Sequence, residues 1–240
     1  MPVKFFKNDH GHFKDVTPVA ISNKSGWWNS MTCGDFDDDG DIDYVAGNLG
    51  ENSFYQASDK YPVSIYGKDF FKKGITQCII TQYLKDQEGG QLKEFTINSR
   101  DEIVDQLPFI KKRFLTYKDF AQVTFDKIFT ADEISNALKD SANYFKSSFI
   151  RNNGNDSFTM EPLPGVAQYS AINGMVTEDF DSDGNLDICM NTNEYSTDPS
   201  NERYDALNGL ILIGDGKGKF TSLSILQSGI FYSWQWAGIG

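Results

Sequence analysis

The sequence predicts a mainly β chain, built from repeated strand–loop–strand units and interrupted once by helices. Three observations carry this expectation. Two nine-residue stretches, Asp35–Asp43 and Asp179–Asp187, share the pattern D-x-D-x-D-G-x-x-D, and each leads into a β-favouring run. A short apolar strand, a polar Gly/Asn turn and a closing Phe recur three times, which is a hairpin signature. The 240 residues include 21 Gly against 7 Pro, with 19 Phe and 11 Tyr, a balance that suits short strands and tight turns better than a helical bundle.

In the first acidic stretch, Asp35, Asp37 and Asp39 occupy positions 1, 3 and 5, from which carboxylates converge as a loop winds; Asp179, Asp181 and Asp183 do so in the second. Gly40 and Gly184, at position 6, permit the sharp turn. Position 7, Asp41 or Asn185, offers a backbone carbonyl, and position 9, Asp43 or Asp187, a further carboxylate. The donors are all hard oxygens without His or Cys, which favours calcium over zinc or copper. The loops are not EF-hands, because position 12 is Ala46 or Met190 where that motif needs a bidentate Glu. Crowded carboxylates repel one another, and a divalent cation relieves that. The plainer alternative is an acidic surface turn; two matching copies, each entering a strand, favour two calcium sites.

Along the chain, the hairpin signature falls at Phe5–Phe13, Phe149–Phe158 and Leu210–Phe220. The closing Phe precedes the acidic loop by 22 residues in the first copy and 21 in the later one. Ser233–Gly240 matches Ser25–Gly34, so the sequence reads as a fragment that stops just before a further acidic loop. A worn copy lies between, with a strand at Pro62–Tyr66 and a loop at Asp69–Gln77 that keeps Asp69 and Gly74 but has Phe71, Lys73 and Gln77 at positions 3, 5 and 9. A lysine in place of a ligand predicts a repeat without its ion. Residues 99–148 break the pattern, with helix starts at Ser99, Thr116 and Thr130 and a break or kink at Pro108. The expected organisation is 1–98 as β repeats, 99–148 as a helical insertion and 149–240 as further β repeats.

The net charge of −12 and the lack of a Lys/Arg stripe argue against nucleic-acid binding. No apolar run is long enough to span a bilayer, and residues 1–30 show no export signal. Cys33, Cys78 and Cys189 lie in expected strands and read as small buried residues rather than a disulfide framework. Trp27, Trp28, Trp234 and Trp236 precede loop positions; they suit a stacking platform for sugar rings, or blander packing between sheets. Arg203, Tyr204 and Asp205 suit a ligand site, or an ion pair that pins a long loop. His10 and His12 read as part of a solvated turn. Outside the acidic loops the carboxylates are scattered, and no G-x-S-x-G motif occurs. A non-enzymatic role is expected, with a polysaccharide lyase or hydrolase as the alternative.

The acidic loops, the Asn152-Asn153-Gly154-Asn155 turn and the strand spacing resemble the VCBS/FG-GAP repeat family, which includes integrin α-chain propellers and the cartilage acidic protein group. Gly26-Trp27-Trp28-Asn29, Gly47-Asn48-Leu49-Gly50, Ser99-Arg100-Asp101-Glu102 and Arg203-Tyr204-Asp205-Ala206 are similar to stretches of bacterial surface VCBS repeat proteins of the ASPIC/UnbV-associated type. The resemblance implies a partial β-propeller of four-stranded blades, about three and a half here, with a small α-helical insertion. It also implies calcium at Asp35, Asp37, Asp39, Asp43, Asp179, Asp181, Asp183 and Asp187, with main-chain oxygen from Asp41 and Asn185. It further implies export to the periplasm, the outer-membrane surface or the medium, a signal peptide in the full-length protein, a glycan or protein ligand, and remaining blades elsewhere in a longer chain.

Overall fold

A computed structural model describes residues 1–86, 90–193, 204 and 206–230. In chain order the elements are β1 (Phe6–Asp9), β2 (His12–Asp15), α1 (Val19–Ser22), β3 (Ser30–Gly34), β4 (Asp43–Gly47), β5 (Val63–Lys68), β6 (Gln77–Lys85) and β7 (Leu92–Thr96). Then come α2 (Arg100–Gln106), α3 (Ile110–Arg113), α4 (Tyr117–Ala121), α5 (Phe125–Ile128), α6 (Ala131–Ile134), β8 (Leu138–Ala142), β9 (Ser148–Asn152) and β10 (Phe158–Pro162). After a 3-10 turn at Gly165–Gln168 follow β11 (Ile172–Glu178), β12 (Asp187–Thr192), β13 (Leu210–Gly214), β14 (Phe220–Ser222) and α7 (Ile225–Ser228). The described strands form three four-stranded antiparallel sheets and one two-stranded hairpin, so the chain is mainly β.

The chain divides into two compact units, residues 1–54 with 145–240, and residues 55–144. In the first unit, β3, β4, β9 and β10 form one sheet as a meander, and β11 to β14 form another. All three expected hairpins are present, as β1–β2, β9–β10 and β13–β14. Successive strand residues point to opposite faces, and the meander that contains β4 and β9 buries both. Val45 and Phe149 share a core with Ile188, Met190, Leu210 and Leu212 of the other meander. Ala46 and Ile150 face the opposite way, onto Val3 and Ile21, with Phe5, Tyr44, Trp28, Phe158 and Met160 around them. Phe5 stacks on Phe158 with ring centroids 4.1 Å apart.

The first meander is interrupted between its second and third strands. The chain leaves β4 and returns to β9 at one place, where the Asn48 amide donates to Ser147 Oγ at 3.0 Å and the Gly50 amide to the Phe145 carbonyl at 2.8 Å. What lies between is the second unit. Its sheet runs β7-β6-β5-β8, so the strand expected after the worn loop pairs here and not in a meander of the first unit. Helices α2 to α6 pack on this sheet: Ile79 of β6 shares a core with Ile103, Leu107, Ile110, Phe120, Phe125, Ile128 and Phe129. These unit bounds differ from the lines at 98 and 148 that the repeat spacing predicts, because strands and helices of the inserted stretch close one common core.

The helix starts at Ser99, Thr116 and Thr130 follow local chemistry, but the second helix stops at Ala121, a further one runs over Phe125–Ile128, and Leu138 opens β8 rather than continuing the third. Ser99 with Glu102, and Thr130 with Glu133, form capping boxes, and Thr116 Oγ1 accepts from the Asp119 amide. Pro108 separates α2 from α3, as its missing amide dictates. The cysteines need correcting. Cys33 and Cys78 are exposed and Cys189 is half-buried, because strand alternation turns Cys78 to the face opposite buried Gln77 and Ile79.

Two outcomes follow. Replacing residues 55–144 with a short Gly/Ser linker should leave the two meanders folded, read as a cooperative far-UV circular dichroism melt, since the flanking chain ends already meet. In the second unit Glu133 is held down to about 2 by its hydrogen bonds to Arg113, reinforced by Thr130. A depressed carboxylate contributes stability above its unfolded pKa of about 4.3 and loses it as pH falls toward about 2. The stability gap between wild type and Glu133→Gln in urea titrations should therefore shrink from pH 6 to pH 2.

Candidate metal centre

Three loops, two acidic and one worn, share one backbone. At position 1 a single carboxylate gathers two amides: Asp35 accepts from Asp39 at 3.2 Å and Gly40 at 3.0 Å, and Asp179 from Asp183 at 3.2 Å and Gly184 at 3.0 Å. Asp69 does the same with Lys73 at 3.1 Å and Gly74 at 2.6 Å. At position 9 a side-chain oxygen accepts the position-2 amide: Asp43 from Phe36 at 3.3 Å, Asp187 from Phe180 at 2.9 Å, and Gln77 from Phe70 at 3.1 Å. Position 4 is left-handed in each, with φ of +58° at Asp38, +65° at Ser182 and +54° at Lys72. Position 6 reaches +88°, +95° and +80° at Gly40, Gly184 and Gly74, a region that favours glycine. The turn is thus made by positions 1, 6 and 9. It forms equally well around Phe71 and Lys73, so positions 3 and 5 are not needed to shape it.

Those spare positions are where the acidic loops differ. Carboxylate oxygens of Asp35, Asp37 and Asp39 lie within 4.8 Å of one another, as do those of Asp179, Asp181 and Asp187. That spacing makes each group a candidate metal site. Asp43 and Asp183, expected among the ligands, fall outside these groups. Asp43 is fully buried and gives its second oxygen to the Asn152 amide at 2.7 Å, which ties the loop to β9. Asp187 ties its loop to β13 in the same way, through the Gly214 amide at 2.8 Å. Asp183 accepts from the Asn185 amide at 2.8 Å and its side-chain nitrogen at 2.9 Å, and Asp39 from the Asp41 amide at 2.8 Å. Position 7 of each loop also lies close to the turn of its own sheet's outer hairpin. A Cβ on Gly154 would sit 3.2 Å from Asp41 Oδ2, and one on Gly216 would sit 2.4 Å from Asn185 Oδ1.

Electrostatics follow the same division. Desolvation pushes the Asp43 carboxyl up, against the Asn152 and Phe36 amides that favour its charge, with Asp39 and Asp35 adding to the rise. Asp181 is also pushed up, by desolvation and then by Asp183, Asp187 and Asp179. Asp69 lacks such neighbours, and its backbone hydrogen bonds, led by Lys73, bring its carboxyl below the usual range. The Asp37 side chain is 6% exposed, and one of its oxygens, Oδ1, is buried with no hydrogen-bond partner among the described residues. A buried acceptor left open beside two more carboxylates fits a hard, oxygen-seeking cation.

Its other oxygen, Oδ2, pairs with Arg151 of β9. Sequence reasoning passes over Arg151; the signal lies in the repeated hairpin, where Phe149-Ile150-Arg151 aligns with Ile211-Leu212-Ile213. Trp27 packs its ring 5.0 Å from that of Phe145, and Trp28 lies half-buried against the Ile21 and Ile150 core. Tyr204 is buried, its carbonyl accepting from Ser170 Oγ at 3.2 Å. Arg203, Asp205, Trp234 and Trp236 lie outside the described residues. His10 sits on the β1–β2 turn, 2.6 Å from Asp9, with its side chain 96% exposed.

A hairpin, a strand, an acidic loop and a second strand thus make one repeat of a β protein with oxygen-lined loops. Residues 1–46, which span the first such repeat, match the FG-GAP-like repeat family. Residues 148–192 carry the same order again in β9–β10, β11, the second loop and β12. Comparison with curated proteins and with solved structures yields no match.

If position 1 shapes the turn, Asp69→Ala and Asp35→Ala should each lower the urea midpoint in titrations run in chelator, through the lost amide acceptor. Asp39→Asn under the same conditions should cost little.

Proposed function

We propose that this chain is a calcium-binding segment of a β-propeller repeat protein that acts outside the cytoplasm by binding a glycan or protein, without catalysis. The observation that carries the calcium reading is the buried, unbonded Asp37 Oδ1 within a three-carboxylate cluster. The charge distribution supports it. Residues 55–144 hold 13 acidic and 13 basic side chains, whereas the rest holds 21 acidic and 9 basic, so the whole −12 lies in the unit with the acidic loops. Two calcium ions would offset about four of those charges.

Asp35, Asp37 and Asp39 would hold one ion, and Asp179, Asp181 and Asp187 the other. The ion would supply fixed positive charge that links the turn's free carboxylates. The chain's own residues already set the turn, so calcium tightens a formed loop rather than nucleating it. The propeller reading rests on meander-ordered four-stranded sheets that share a core face to face, and on the family match at residues 1–46. The export reading rests on that match alone. Among the described residues no helix is long and apolar enough to cross a membrane. The non-catalytic reading rests on the clustered carboxylates being those of the loops.

Calcium should raise the thermal midpoint relative to chelator, by about 2–4 °C for each kcal/mol of binding stabilisation. An unchanged midpoint, with no calcium bound in equilibrium dialysis, would overturn the metal reading. A glycan array beside polysaccharide-degradation assays separates recognition from turnover; product release would overturn the non-catalytic reading.

A further inference from the structure

We infer that the two calcium loops are unequal, and that Arg151 makes the first the weaker site; this rests on the calcium reading above. The comparison is internal to the chain. Tyr44 pairs with Ile150 and Ile188 with Leu212, and the residues two positions on, Asn152 and Gly214, donate to position 9 of their own loops. Arg151 and Ile213 therefore occupy the same place beside the first and second loops.

Arg151 is built into its place. Its guanidinium pairs with Asp37, donates to the Lys217 carbonyl at 2.8 Å and lies 5.5 Å from the Phe149 ring centroid. A Cβ on Gly218 would come within 2.3 Å of Arg151 Nη2, so glycine there leaves the room the arginine uses. Guanidinium stays charged throughout the accessible pH range. It neutralises one carboxylate of the first cluster and sets a fixed positive charge beside any cation held there. Ile213 brings neither effect to the second cluster. An arginine within about 4–6 Å of an aspartate biases that carboxylate's proton equilibrium by roughly one to three powers of ten, and a calcium ion competing for the same carboxylate meets a bias of the same origin. The first loop should thus bind calcium at least about tenfold more weakly than the second, so that the second fills first.

The test is calorimetric titration of calcium into metal-free wild type, Arg151→Gln, Arg151→Ile and Ile213→Arg. Asp37→Asn and Asp181→Asn assign each step to its loop, and a circular dichroism melt in chelator checks each variant's fold. Wild type should show two steps, the weaker lost in Asp37→Asn. Arg151→Gln keeps an amide donor near the Lys217 carbonyl and should strengthen that step about tenfold while leaving the tighter one alone. Ile213→Arg should weaken the tighter step by a similar factor, and it decides the matter if both Arg151 variants unfold. Equal wild-type steps, or a weaker step unmoved or weakened further in the folded Arg151 variants, would overturn the inequality while leaving calcium binding intact. The absence of binding at either loop would instead remove the calcium reading itself, and this inference with it.

Discussion

The structure depends on a small act of capture: one side chain at the start of a nine-residue loop accepts the amides of its fifth and sixth residues, and one at the end accepts the amide of the second. Backbone N–H groups in a tight turn lack ladder partners and need acceptors. Asp35, Asp69 and Asp179 supply them at one end, and Asp43, Gln77 and Asp187 at the other. Gln77 does this uncharged, so the turn relies on hydrogen-bond acceptance rather than on negative charge. Asp43 and Asp187 then reach across to Asn152 and Gly214 and set the next strand against the loop.

That division separates the residues that shape the turn from those that crowd carboxylates together within nine residues. The worn loop is an internal control, since it keeps the shape with Phe71 and Lys73 in the ligand places. Its position 2, Phe70, packs against the helical core of the inserted unit, 6.4 Å from the Phe109 ring, while Phe71 at position 3 stays exposed with its ring 6.5 Å from the same Phe109. In the acidic loops the ligand places carry carboxylates, and Asp181 among them is pushed up by desolvation and then by Asp183, Asp187 and Asp179. Repulsion among them is therefore an added load on a turn that is already secure, and a cation would relieve it without having to build the loop.

Much of this was legible residue by residue. Hairpins, acidic loops and capping boxes are set by contacts within a few positions, and each was placed from the sequence. The fate of the worn copy was not. Its strand pattern resembles the other repeats, yet β5 pairs with β8 as well as β6, and its core is made with helices some thirty residues on. The exposed faces of Cys33 and Cys78 were hidden for a related reason: apolar neighbours identify a strand, but only its partners decide which face is buried.

By itself the sequence determined the local chemistry: where the chain turns, which oxygens crowd together, where helices begin. Those outcomes need only neighbours along the chain. The tertiary structure decided that β4 pairs with β9 after the whole of the second unit, with Asn48 and Ser147 meeting across 99 positions. It also decided that Asp43 reaches the Asn152 amide of β9, and that Arg151 answers Asp37. Such partners are chosen by packing two sheets on a shared core, and no spacing rule along the chain encodes that choice.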